Sequence, residues 1–159
     1  MQSGVNESVE YGNRLHDVMS RIYRREDVTA AVAGYATEHH LSEEVGQALL
    51  SDVRMIVEHP DCSPFFVDDV EIKNECEMVC AAAGLQSGEL KSYRADRIVI
   101  YDGGVYVVDY KTGRDDSNRR DAHIKQVNRY CDILRQMGYD NVEGYIIYTH
   151  NGVKVVKTI

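Results

Sequence analysis

The chain is 159 residues long, 43% hydrophobic and 28% charged, with a formal net charge of −8. Such a length and balance suit one globular domain that buries roughly two thirds of the surface its unfolded form exposes, and they exclude a disordered chain, a solenoid and a protein that simply coats nucleic acid. The opening MQSGVNESVEYGNRLHD lacks the apolar core of a signal peptide, and no later stretch approaches the roughly 20 apolar residues of a membrane span, so a cytoplasmic protein with no membrane contact is expected.

Charge is divided unevenly along the chain. Residues 1–91 carry 7 Lys and Arg against 17 Asp and Glu, whereas residues 92–159 carry 11 against 9. A polyanion can therefore be held locally while the remaining surface stays acidic. The four cysteines, Cys62, Cys76, Cys80 and Cys131, read as reduced thiols, and Cys76 and Cys80 as small buried hydrophobes sharing a strand face with Ile72 and Met78.

In chain order, Leu15, Val18, Met19 and Ile22 recur at helical spacing and predict an amphipathic helix over roughly 11–24, with His16 at the edge of its stripe. A second helix is expected after Asp27 as N-cap. A third follows Ser42, with Val45, Leu49, Val53 and Ile56 on one face and Pro60 as its stop. Residues 1–60 thus form a helical part. From Val70 to Cys80 the period changes to two, with Val70, Ile72, Cys76 and Met78 on one face and Glu71, Glu75 and Glu77 on the other.

A connection containing Gly84 and Gly88 leads to SYRADRIVIY and VYVVDYKT, which flank Asp102-Gly103-Gly104 as an antiparallel hairpin. The polar loop GRDDSNRRD precedes AHIKQVNRYCDILRQM, a helix whose stripe is Ile124, Val127, Cys131, Leu134 and Met137 and which Gly138 ends. NVEGYIIYTH, a turn at Asn151-Gly152, and VKVVKTI make a second hairpin. With few connections long enough for a βαβ crossover, the expected fold is α/β of the α+β kind, a mixed sheet over residues 70–159 flanked by helices.

Asp109 and Lys111 stand two apart on a strand and share a face, with Val108 and Tyr110 on the other. Asp96 interrupts the partner strand in the same way. Two carboxylates brought together on a sheet repel, and burial raises the cost unless a cation intervenes. The pattern is either a buried ion pair or a site for a hard divalent cation such as magnesium or manganese. On the following helix Gln126 and Tyr130 stand at i and i+4, able to bond a phosphate or a water, with Lys125 and Arg129 beside them to offset backbone charge. No Gly-rich phosphate loop of the Walker type occurs, so no ATP-driven motor is expected within these residues.

YGNRLHDVMSRI, YRADRIVIYDGGVYVVDYKTG and HIKQVNRYCDIL together resemble the RecB-like branch of the PD-(D/E)XK nucleases, the domain attached to UvrD-type helicases in RecBCD- and AddAB-like complexes. The resemblance spans Gly12 to about Tyr148. It implies a restriction-endonuclease-like fold with an αβββαβ core behind an N-terminal helical segment. It further implies that His16, Asp96 and Asp109 are metal ligands together with the Tyr110 main-chain carbonyl, that Lys111 is the catalytic lysine, and that Gln126 and Tyr130 position water and DNA. A glutamate on the preceding strand completes the set. Glu75 is the assignment, with Glu77 as its alternative. The implied cofactor is Mg2+ or Mn2+, and the implied partners are DNA and a helicase motor in the same chain or complex. Some relatives carry an iron-sulfur cluster on one cysteine ahead of the histidine motif and three near the C-terminus. Here no cysteine precedes Cys62 and only Cys131 lies late, so no cluster is expected. The expected activity is exodeoxyribonuclease-type hydrolysis in recombinational repair, against the alternative of a non-catalytic DNA-binding or docking domain.

Overall fold

The computed structural model describes residues 2–81 and 88–158; Gly84 of the expected connection lies outside them. Helices α1 (Gln2–Met19), α2 (Val28–Glu38) and α3 (Glu43–Val57) come first, followed by strands β1 (Glu71–Ala81), β2 (Leu90–Tyr101) and β3 (Gly104–Lys111). Helix α4 (Ser117–Gln136) and strands β4 (Val142–Tyr148) and β5 (Lys154–Lys157) complete the order. The five strands form one sheet in the order β1-β2-β3-β4-β5. Every neighbouring pair is antiparallel except β3 and β4, which run parallel because α4 carries the chain back between them. The expected mixed sheet flanked by helices is what the chain forms.

Two apolar cores lie on opposite faces of this sheet. One joins Leu15, Val18, Met19 and Ile22 of the first helical region to Leu49, Val53 and Ile56 of α3 and to Val99, Val108 and Tyr110 of the sheet. The other joins Val127, Cys131 and Leu134 of α4 to Ile98, Val105, Val107 and Ile146. The strict alternation along β3 explains the division: odd positions face α4 and even positions face the helical layer.

The caps depart from expectation in instructive ways. Ser42 Oγ accepts from the Val45 amide as a helix N-cap should. Asp27 occupies the cap position of α2, but its carboxylate turns backwards to accept from the amides of Tyr23 and Arg24. Helix α1 ends at Met19, earlier than the expected 24, and begins well before 11. Helix α4 starts five residues before the apolar stripe suggests, because Asp116 caps it through the Arg119 amide. Met137 falls beyond its end and is 52% exposed, so it does not extend the stripe.

The largest correction concerns β1. Ile72 and Val70 pack with the helical layer, whereas Cys76, Met78 and Cys80 pack with α4, so these residues do not share a face. The reversal occurs at Glu75, which has φ 49. The left-handed conformation costs an ordinary residue roughly 1–2 kcal/mol and flips the side-chain alternation beyond it. On the partner strand the same reversal occurs, with Val99 on one side and Ala95 and Tyr93 on the other. Asn74 pairs with Arg97 and Cys76 with Ala95, so Glu75 and Asp96 stand opposite each other at the crossing point.

Candidate active site

The crossing point opens into a cleft of about 810 Å³ at the end of the sheet, lined by residues of α1, β1, β2, β3 and α4. Among them are His16, Glu75, Asp96, Asp109, Lys111, Gln126 and Tyr130. These seven side chains therefore meet in one place, drawn from five separate elements, whereas Glu77, Lys125 and Arg129 are not among the lining residues. Tyr110 turns its ring into the helical core, while its amide donates to Asp96 Oδ2 at 2.8 Å.

Each element delivers its residue for a local reason. Helix α1 comes close enough to the β3–α4 loop that a Cβ on Gly12 would lie 2.9 Å from Thr112 Oγ1, and one turn later His16 faces the sheet. Its Nδ1 lies 3.4 Å from Asp96 Oδ2. The left-handed turn at Glu75 directs that carboxylate into the cleft, where Arg94 Nε pairs with it at 2.8 Å. Glu77 lies outside the cleft lining, exposed and accepting from Ser92 Oγ. Lys111 reaches across β3 to Asp109 Oδ2 at 2.6 Å and donates to Gln126 Oε1 at 3.0 Å.

The carboxylates are under electrostatic load. Burial, with the Asp96 charge added to it, pushes the Asp109 carboxyl up to about 6 even though Lys111 opposes the shift. Glu75 is raised by the same two causes in the same order. The hydrogen bond to Asp96 raises His16, and the charges of Asp96, Asp109 and Glu75 add to this against the effect of burial. Burial pushes the Tyr130 phenol up to about 12. A cluster in which one carboxylate lifts two others is a site that gains from an added cation.

One nitrogen of His16 and one oxygen each of Glu75 and Asp96 all lie within 4.8 Å of one another. Asp109 Oδ2 is buried and receives no hydrogen bond, with Lys111 beside it as an ion pair only. Three carboxylates and one imidazole, with a single lysine ammonium among them, are a donor set that fits a hard divalent ion.

Sequence reasoning passed over several cleft residues: Asn13 and Asp17, which flank His16 on α1, and Ser92, Tyr93 and Arg94 on β2. Asn13 and Asp17 stand at i and i+4, and Arg94 two residues before Asp96, spacings that place them beside residues already chosen. Of the other histidines, His39, His40 and His150 are exposed. His123 is half-buried against the Tyr148 hydroxyl at 3.0 Å, and His59 caps the 3-10 turn Pro60–Phe65. All four cysteines are free thiols. Among the described residues no helix is long and apolar enough to cross a membrane.

No curated protein matches the chain. A solved structure titled "Crystal structure of SSO0001" is 17% identical, with a TM-score of 0.44 and an alignment covering 99% of this chain and 78% of that one. The family model of the PD-(D/E)XK nuclease superfamily matches residues 2–156, nearly the full length, and on that match the chain belongs to the PD-(D/E)XK nuclease superfamily.

Proposed function

We propose that this chain is a Mg2+- or Mn2+-dependent deoxyribonuclease of the RecB-like branch, which hydrolyses phosphodiester bonds in a strand delivered from a DNA end during recombinational repair. Nucleases of the superfamily are metal-dependent hydrolases, which supplies the reaction class. The observation that carries the reading is the meeting of His16, Glu75 and Asp96 with the Asp109–Lys111 pair in one cleft. Its support for the branch is the sequence order of the histidine, aspartate, D-x-K and glutamine-tyrosine motifs.

His16, Glu75, Asp96 and Asp109 would hold the ion, with the Tyr110 main-chain carbonyl as a further donor. When bound, a divalent ion lowers the pKa of an attacking water and offsets charge on the scissile phosphate. Lys111 is held between Asp109 and Gln126, which keeps its ammonium directed at the cleft. From there it can orient the water or stabilise negative charge growing on phosphate. Gln126 fixes the lysine through its Oε1, and Tyr130 adds a neutral hydroxyl at working pH. Arg94 lines the cleft and Arg129 stacks over the cleft residue Tyr93, so both would offer cations to the strand's other phosphates. Hydrolysis by water needs no covalent protein intermediate. Because such contacts are to the backbone, little base preference and a steep loss of affinity with salt are expected. A helicase motor, in the same polypeptide or a partner subunit, would deliver the strand.

The test is incubation with linear and circular DNA, single- and double-stranded, in Mn2+ or Mg2+ with and without chelator. Metal-dependent shortening of linear single strands, with circles resistant, is the expected result. DNA binding without cleavage in either metal would instead mark a docking domain.

A further inference from the structure

Arg97 is fully buried, yet it lies on the strand next to the cleft residue Asp96 and takes no part in the cleft. Its guanidinium donates from Nε to the Phe65 carbonyl at 2.9 Å and from its two terminal nitrogens to the carbonyls of Ile22 at 2.6 Å and Tyr23 at 2.9 Å. It also donates to Asn74 Oδ1 at 3.2 Å and stacks over the Phe66 ring, 4.3 Å from its centroid. Among the described residues no carboxylate pairs with it, so carbonyls alone replace the water that its charge has lost. Asn74 is its cross-strand partner, and Asn74 Nδ2 donates to the carbonyls of Ser20 at 3.1 Å and Ile22 at 3.0 Å.

Apart from that of Phe65, the carbonyls gripped in this way, those of Ser20, Ile22 and Tyr23, belong to the segment directly after α1. Helix ends leave such carbonyls without partners, and a cation or amide there is favourable. Ser20 is in turn tied by its amide to the His16 carbonyl at 2.9 Å. The cross-strand pair Asn74 and Arg97 therefore sits beside the cross-strand pair Glu75 and Asp96, and holds the end of the helix whose last turn carries His16. On the other side the helix is held by the burial of Leu15 and by the close approach of Gly12 to Thr112.

We infer that Asn74 and Arg97 are positioning residues: a clamp that fixes α1 against the sheet so that His16 meets Asp96 and Glu75 at ligand distance. This inference rests on the proposed metal site for its consequence, though not for its geometry. Groups that orient metal ligands typically change affinity by about 10–100-fold when removed.

The test uses Asn74→Ala and Arg97→Lys, with Val142→Ala in the core on the other face of the sheet as a control that weakens folding away from α1. Mn2+ affinity is measured by calorimetry in each variant, alone and combined with His16→Ala. The metal-free protein is followed by the imidazole 15N NMR signals of His16, which report its contact with Asp96. Asn74→Ala and Arg97→Lys should each lower Mn2+ affinity about tenfold or more, and the loss should vanish in the His16→Ala background, where there is no imidazole left to position. Both should move the His16 signals, and Val142→Ala should move neither those signals nor the affinity. The inference is overturned if the clamp variants melt earlier but keep the His16 signals and Mn2+ affinity of the parent, or if their losses simply add to that of His16→Ala. Should the parent chain itself take up no Mn2+, the metal reading fails, and the His16 signals alone decide the clamp. Asn74→Ala keeps the question open to measurement if Arg97→Lys does not fold.

Discussion

Arg97 and Asp109 lie on neighbouring strands and are nearly sealed from solvent, at 0% and 3% exposure, yet the fold answers their charges in opposite ways. Three carbonyls, an amide oxygen and an aromatic face surround the guanidinium. The Asp109 carboxylate has an ammonium beside it, no hydrogen bond to Oδ2, and a second carboxylate close enough to raise its pKa. A buried charge with four of its five N–H donors engaged holds architecture together. One left short of partners, among like charges, is held ready for something the polypeptide does not itself contain.

The sharpest way to break this contrast is to remove both charges in turn. Arg97→Ala should cost about 3–4 kcal/mol, because it strips donors from several buried acceptors at once. At roughly 2–4 °C per kcal/mol for a domain of this size, the melting temperature falls by about 10 °C. A calorimetric shift below 2 °C would remove Arg97 from the architecture. Lys111→Ala should lower the cleavage rate by roughly 10²–10³-fold, the usual effect of deleting one electrostatic contributor, while the circular dichroism spectrum stays that of the parent.

Asp109→Asn tests the other half. Folding raises this carboxyl from its ordinary value of 3.8 to about 6, so between those values the folded state binds more protons than the unfolded one. Stability therefore falls as pH rises through that window, and the full penalty is present above it. Asparagine does not titrate. The variant should melt several degrees above the parent at pH 8, lose that advantage by pH 4, and take up no Mn2+ in calorimetry; equal melting at pH 8 would contradict the load assigned to Asp109. The smallest effect lies outside both regions: Ser42→Ala should cost about 1 kcal/mol through the lost cap of α3, with the cleavage rate unchanged.

Much of this was legible in the sequence because it rests on periodicity and on turn chemistry. The stripe of Leu15, Val18, Met19 and Ile22, the hairpin at Asp102-Gly103, and the shared face of Asp109 and Lys111 all follow from spacing alone. The polar first turns of α1 and α4 carry no apolar stripe, so periodicity does not reveal where these helices start, and for α4 the signal is the Asp116 cap. The reversal at Glu75 was hidden for a different reason. A glutamate with positive φ looks like any strand residue until the register is known, and one such residue moves every later side chain to the opposite face. Arg97 was hidden as well, since an arginine within an alternating strand reads as a solvent-facing position.

Gly144 on β4 sets one further dimension of the cleft. A Cβ there would run into Thr158 and would stand 2.6 Å from Val127 and 3.0 Å from Cys131 of α4. The bare backbone lets that helix lie flush on the sheet one residue along from Gln126, the acceptor for Lys111. Adding even a methyl group would act as a shim under the helix, widening the mouth between Gln126 and Lys111 without touching either, so the width of the cleft is metered by a side chain that is not there.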